Sequence, residues 1–251
     1  MSGDIKSIVK LIAPANYAYW VQSLFNGCSP LVKAPVLSVT NITNDCYSEM
    51  FRNCTSLTQA PELPATTLAG SCYYSMFRNC KSLTKAPELP ATTLADYCYN
   101  NMFDDCTSLT SAPALPATTL VGSCYRNMFS YCTSLTQAPE LPATTLVYDC
   151  YSYMFSYCTS LKRIKMNASF GNWGGGMFEG CTSLELVDMT GSTGVPQLDN
   201  VTNFDNTNDT YKIVVPDSLY DEWIVATNWA SIASHIMKQS DWNAAHPDDQ
   251  L

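Results

Sequence analysis

The sequence predicts a right-handed α/β solenoid, and three observations carry that reading. A 26-residue period runs through most of the 251 residues, each period contains an apolar arc spaced like a short helix, and each also contains an extended stretch with apolar residues at strand spacing. Self-similarity of this kind marks units that cannot bury an apolar face alone and do so by stacking on their neighbours.

The period is exact in the middle of the chain. Met50, Met76, Met102, Met128 and Met154 lie 26 residues apart, each followed by a phenylalanine, Phe51 to Phe155. Cys46, Cys72, Cys98, Cys124 and Cys150 keep the same step, as do Cys54, Cys80, Cys106, Cys132 and Cys158. One unit reads Cys-Tyr-x-x-Met-Phe-x-x-Cys-x-Ser-Leu-Thr-x-Ala-Pro-x-Leu-Pro-Ala-Thr-Thr-Leu. Degenerate copies flank it. Trp20, Leu24, Phe25 and Cys28 come one period earlier, and Met177, Phe178, Cys181 and Leu184 follow their equivalents by 23 residues. Seven units result, with atypical ends like those of capped arrays.

Within the unit of 98–106, a helix at about 100° per residue would place Cys98, Met102, Cys106, Tyr99 and Phe103 on one arc and Asn100, Asn101, Asp104 and Asp105 opposite. The expectation is a two-turn helix, capped by Thr66 or Thr67 in the corresponding unit. Outward tyrosines, Tyr131, Tyr153 and Tyr157, are the exceptions to the polar side. The second half of each unit is extended. Leu161, Ile164 and Met166, then Leu184, Val187 and Met189, follow Leu-x-x-Leu-x-Leu, the signature of leucine-rich-repeat strands. In the other units the third apolar residue comes one place later, as in Leu57, Ala60 and Leu63, because Pro61 and its equivalents lack the N–H an interior strand donates. Short, interrupted strands follow.

Met-Phe-x-x-Cys-x-Ser-Leu-Thr and Leu-Pro-Ala-Thr-Thr-Leu resemble the BspA-like leucine-rich repeats of bacterial surface proteins, common in gut anaerobes, over roughly residues 20–190. The resemblance implies a surface-exposed or secreted protein with a role in adhesion, and no shared catalytic residues. The chain start, Met1-Ser2-Gly3-Asp4, lacks the basic flank and apolar stretch of a signal peptide.

Residues 1–190 are thus expected to form the leucine-rich-repeat solenoid, opening with a strand within 5–19. Residues 191–251 add a polar loop, a capping strand over 211–215 and two short helices over 216–227 and 229–238, with a frayed tail after Ser240. Trp223, Trp229, Ile232 and Ile236 would close the open end of the core and shield its edge.

Chemistry is sparse. A net charge of −9 argues against nucleic acid and anionic membrane surfaces, and no run approaches the ~20 apolar residues of a membrane span. The twelve cysteines form no Cys-x-x-Cys pair, so no metal site is expected, and they read as small buried apolar residues in columns. Bridges between units would need helices closer than their usual 8–10 Å. His235 and His246 are the only histidines and neither neighbours a nucleophile in a known catalytic motif, so no enzyme and no cofactor are expected. Asp205-x-Thr207-x-Asp209 opens like a calcium loop, but Thr210 and Pro216 stand where Gly and Glu are required.

The exposed strand face remains. Two places after the first leucine stand Lys33, Gln59, Lys85, Ser111, Gln137 and Arg163; one place after it stand Thr58, Thr84, Thr110, Thr136 and Lys162. With Lys165, the cations Lys162 and Arg163 form a small basic patch. These positions are the candidate binding residues of a monomeric, non-enzymatic module for a protein or glycan partner; the alternative is a passive spacer presenting another domain. Either way the array must hold together through its buried columns. Met102→Asp is expected to unravel the adjacent units, and an unchanged thermal melt by circular dichroism would overturn that expectation.

Overall fold

The computed structural model describes residues 21–37, 39–199 and 201–251. The strand expected within 5–19 and the first-unit Trp20 lie outside the described residues. Across the rest, the 26-residue period is a period of burial. Met50, Met76, Met102, Met128 and Met154, their following phenylalanines, and Leu57, Leu83, Leu109, Leu135 and Leu161 are all fully buried in one continuous core.

Successive units lie side by side in parallel. Lys33 bridges Gln59, and Lys85, Ser111, Gln137 and Arg163 bridge one another in turn. A second line of bridges joins the return segments, at Thr67 with Thr93, Thr145 with Phe170 and Asn172 with Gln197. In the proline-containing units the pairing is confined to isolated bridges. Regular strands begin where proline is absent: β1 (Arg163–Lys165) has Lys165 at the position of Pro139, and pairs with β2 (Leu186–Asp188). The expected interruption of the ladder by proline is therefore observed, for the expected reason.

The expected two-turn helices are not. Over 45–54, the N–H groups of Asp45, Tyr47, Glu49, Phe51 and Asn53 donate to the carbonyls of Gly70, Cys72, Tyr74, Met76 and Arg78 in the next unit, at 2.7–2.9 Å. The alternate N–H groups, of Cys46, Ser48, Met50, Arg52 and Cys54, donate three residues back. Asp45, Glu49 and Asn53 have φ of 56°, 55° and 61°. The segment is a run of β-turns, every second one with a left-handed residue at its third position as in a type II turn. Its carbonyls and N–H groups alternate between sealing the turn and crossing to the neighbour. A left-handed residue costs about 1–2 kcal/mol, and each such turn also directs N–H groups into inter-unit bonds worth about 0.5–1.5 kcal/mol net. The left-handed columns hold Ser, Asp, Asn, Glu, Tyr and finally Gly176 and Gly180, and no β-branched residue. With no helix to cap, the Thr66 carbonyl instead accepts from the N–H groups of Thr92 and Thr93.

Hydrogen bonding between units sets a spacing far tighter than helix packing. Phenylalanine rings 51, 77, 103 and 129 stack 5.5–5.7 Å apart, and tyrosine rings 47, 73, 99, 125 and 151 at 5.8–6.0 Å. At this spacing the helix-separation argument against bridges between neighbouring cysteines does not hold. All twelve cysteines are nonetheless free thiols. One column has a bonding role: the Sγ groups of Cys54, Cys80, Cys106, Cys132, Cys158 and Cys181 donate to the carbonyls of Phe25, Phe51, Phe77, Phe103, Phe129 and Phe155 at 3.0–3.2 Å. Each thiol adds a second hydrogen bond to a carbonyl of the preceding unit that already closes a turn, while filling the space of a small apolar group. Burial pushes these thiols up, to about 11 at Cys54 and about 12 at Cys181.

The stack continues beyond residue 190. Residues expected to be loop carry a 3₁₀ turn at Val201–Phe204, and Phe204 stacks on Phe178, 26 residues before it. β3 (Lys212–Val215) pairs in parallel with β2, as the sequence predicts for 211–215. Two 3₁₀ turns, Asp217–Leu219 and Trp229–His235, flank α1 (Tyr220–Trp223). The second expected helix ends early, because Ile236–Lys238 is β4, the fourth strand in the order β1-β2-β3-β4. Trp223 and Trp229 are fully buried at this end, Ile236 is buried and Ile232 packs partly exposed against the core. The tail expected to fray forms α2 (Gln239–Ala245), whose Trp242 packs with Leu186 and Val214 on the outer side of the sheet.

A turn and a helix respond oppositely to glycine. Asn127 has φ 52° inside the segment predicted to be helical. Asn127→Gly is expected to melt above Asn127→Ala, by roughly 1 kcal/mol from relief of the left-handed conformation. In a helix the order reverses by a similar amount, so thermal melts of the two variants decide between the geometries.

Candidate ligand surface

All eight candidate side chains are exposed on one face of the array. Backbone pairing between neighbouring units brings Lys33 beside Gln59 and places Lys85, Ser111, Gln137 and Arg163 in one row. Two shallow grooves run along that face. The first, about 450 Å³, is lined by Thr58, Gln59 and Lys85 together with Pro61, Glu62 and Glu88. The second, about 470 Å³, is lined by Gln137, Lys162, Arg163 and Lys165, together with Leu186 and Leu251. In the first groove Pro61, Glu62, Pro87 and Glu88 form a second wall beside the polar row, and in the second Glu140 alone of such residues does so.

The threonine row is largely engaged within the array. Thr58, Thr110 and Thr136 donate their hydroxyls to the carbonyls of Val32, Thr84 and Thr110 at 3.2–3.5 Å. The basic patch is balanced by carboxylates. Lys162 Nζ lies 2.9 Å from Glu185, Arg163 2.6 Å from Asp249, and Lys165 4.0 Å from Glu140. Among the described residues no ion pair is made by Lys33 or Lys85. Asp249, Glu140 and Glu185 as partners were not singled out from the sequence. Glu140 was within reach through its spacing of 52 residues, two periods, from Glu88, whereas Asp249 is 86 residues from Arg163 and nothing local joins them.

The turn face carries a different charge arrangement. Arg78 Nε lies 2.9 Å from Asp104, a carboxylate almost enclosed by the neighbouring units. Burial pushes the Asp104 acid up to about 6, with Arg78 opposing and Asp105 adding to the shift. His235 is stacked 4.1 Å from Tyr211 with its Nδ1 3.1 Å from that residue's carbonyl, and His246 is stacked 3.9 Å from Trp242. Both are built into the C-terminal packing. Among the described residues no group of three His, Cys, Asp or Glu side chains is placed to hold a metal ion, and no helix is long and apolar enough to cross a membrane.

Stacked 26-residue units with an inward Leu, Met, Phe and Cys at each step define a leucine-rich-repeat protein. The family model described as "BspA type Leucine rich repeat region (6 copies)" matches residues 3–110 and 96–221, and the chain belongs to that family. The leucine-rich-repeat family is in general non-catalytic. No curated protein matches the chain. Among solved structures, a leucine-rich repeat protein from Bacteroides ovatus is similar at 18% identity, with a TM-score of 0.36 over 76% of this chain. The chain spans 58% of that protein's length.

The raised acid at Asp104 sets a pH dependence whose sign is fixed. Its folded form holds the proton more tightly than an unfolded carboxylate, so its contribution to stability is present at low pH and lost as pH rises through about 6. Asp104→Asn is therefore expected to gain in melting temperature relative to the wild type between pH 4.5 and pH 7.5. A difference that does not change with pH would refute this.

Proposed function

We propose that the chain is a non-enzymatic binding module of a cell-surface or secreted bacterial protein, which recognises a protein or glycan partner through its strand face. The stacked units form a right-handed solenoid, acting as a monomer. The observation that carries the reading is the gathering of Gln59 and Lys85 in one groove and of Gln137, Lys162, Arg163 and Lys165 in another on the same face. Exposed polar side chains in concave, partly apolar surroundings are the common composition of recognition sites. The family supports a surface location, since BspA-type proteins are surface proteins.

One observation favours a passive spacer instead. Several threonine hydroxyls of the same face are engaged with carbonyls of the array, as a structural ladder requires.

The test is binding of the labelled protein to a panel of matrix proteins, mucins and glycans, beside the triple variant Lys33→Glu, Lys85→Glu, Arg163→Glu. Exposed charge reversals leave folding close to unchanged. A bound partner is expected to be lost at least tenfold by the variant, in line with ~1–3 kcal/mol for lost contacts at charged groups. No binding by the folded wild type favours the spacer.

A further inference from the structure

One pair in the columns of thiols differs from the others. From Cys54 to Cys181 the column is fully buried, whereas Cys28, one unit before Cys54, is half-buried. The Cys54 Sγ donates to the Phe25 carbonyl at 3.0 Å, and the Cys28 N–H donates to that same oxygen at 2.9 Å. The Cys54 sulfur therefore reaches across to the turn that Cys28 closes. The two backbones are held together on either side of this point. Phe25 N–H donates to the Met50 carbonyl at 2.9 Å and Gly27 N–H to the Arg52 carbonyl at 2.8 Å, and the rings of Phe25 and Phe51 stack 5.5 Å apart. Backbones hydrogen-bonded in this way lie about 4.8 Å apart. That spacing falls inside the Cα separation of about 4.4–6.8 Å that a disulfide accepts.

We propose that Cys28 and Cys54 are a redox pair, which a small-molecule disulfide oxidises to a bridge that locks the unit of residues 21–37 onto the next one. The step balances. The Cys28 thiolate attacks a disulfide RSSR, forming a mixed disulfide as one RS⁻ leaves. The Cys54 thiolate then attacks the Cys28 sulfur and displaces the second RS⁻. Two thiols are oxidised, one RSSR is reduced to two RSH, and the two thiol protons pass to the departing thiolates. In each later pair of this column both sulfurs are enclosed, so an oxidant meets neither while the stack is closed. Burial holds the Cys54 thiol up at about 11, so the closing step is slow. The bridge also falls where it has most effect. Phe25, Cys28 and Leu31 are only partly buried, whereas Phe51, Cys54 and Leu57 are fully so. A unit with fewer buried apolar contacts opens more readily, and a covalent tie to its neighbour opposes that opening.

The experiment uses the full chain, first reduced and freed of reductant, then incubated with glutathione disulfide at neutral pH. Remaining thiols are trapped with N-ethylmaleimide in denaturant, and the linked peptides are mapped by mass spectrometry. The expected product is a Cys28–Cys54 linkage, with the other ten cysteines trapped as thiols. Hydrogen exchange at the Phe25 and Gly27 N–H groups is expected to slow by about tenfold in the oxidised protein, because the bridge holds their inter-unit bonds closed. Cys28→Ser is expected to abolish both the linkage and the slowing; should it melt below the wild type, Cys28→Ala takes its place. Cys28 left free, or stopped as a glutathione adduct beside a Cys54 thiol, overturns the pair. Linkage to the same extent among the inner cysteines overturns the restriction to this site. A Cys28–Cys54 bridge with unchanged exchange at both amides overturns the lock.

Discussion

Backbone hydrogen bonds that leave one unit and end in the next, about one repeat on, are the constraint from which the other features follow. They occur on the strand side, at the return segments and along the turn face, so each unit is tied to its neighbour around its circumference. Once units are held at strand-like spacing, a residue at a given position must lie directly beside its equivalent. Identical side chains then form columns, and every column must be a type that tolerates its own kind as a neighbour. Phenylalanine and tyrosine rings satisfy this by parallel stacking, methionine and leucine by plain packing, asparagine by amide-to-amide bonds such as Asn79 to Asn53 at 2.8 Å. The near-identity of the middle repeats is thereby a packing requirement as much as a record of duplication.

The cysteine columns show how narrow that requirement is. Cys54, Cys80, Cys106, Cys132 and Cys158 are fully enclosed, in a space with room for a small side chain and next to a carbonyl of the preceding unit that closes its own turn and accepts the thiol as a second donor. Alanine would fill the space and give up the second hydrogen bond to that carbonyl, which would keep only its turn-closing N–H. Serine would supply the donor but at a higher desolvation cost. A thiol, small, apolar and weakly donating, meets both conditions, and its burial makes it a poor nucleophile. The same reasoning separates structure from recognition in this molecule. Enclosed chemistry is spent on stacking, and the residues proposed to meet a partner stand outside it, exposed on the strand face.

The sequence by itself determined the repeat, its step, the buried set and the face on which the candidate ligand residues stand. Those are properties of periodicity, and periodicity is visible without coordinates. It also indicated the broken ladder, because the missing N–H of Pro61 and its equivalents is a covalent fact. Only the tertiary structure decided between helix and turn ribbon. Apolar residues at 46, 47, 50, 51 and 54 fit a helical arc of 3.6 residues per turn and a four-residue alternation of turns about equally well over nine residues. The choice is made by carbonyls of the neighbouring unit, which no local pattern encodes. Tertiary structure likewise decided that 191–210 continue the stack and that the polar tail becomes α2, since Phe204 and Trp242 are isolated apolar residues in polar stretches and gain their meaning only from Phe178 and the sheet that receive them. The pairing of Arg163 with Asp249 is of the same kind: two charges far apart in the chain, joined because the last turns of the fold bring the tail back across the strands.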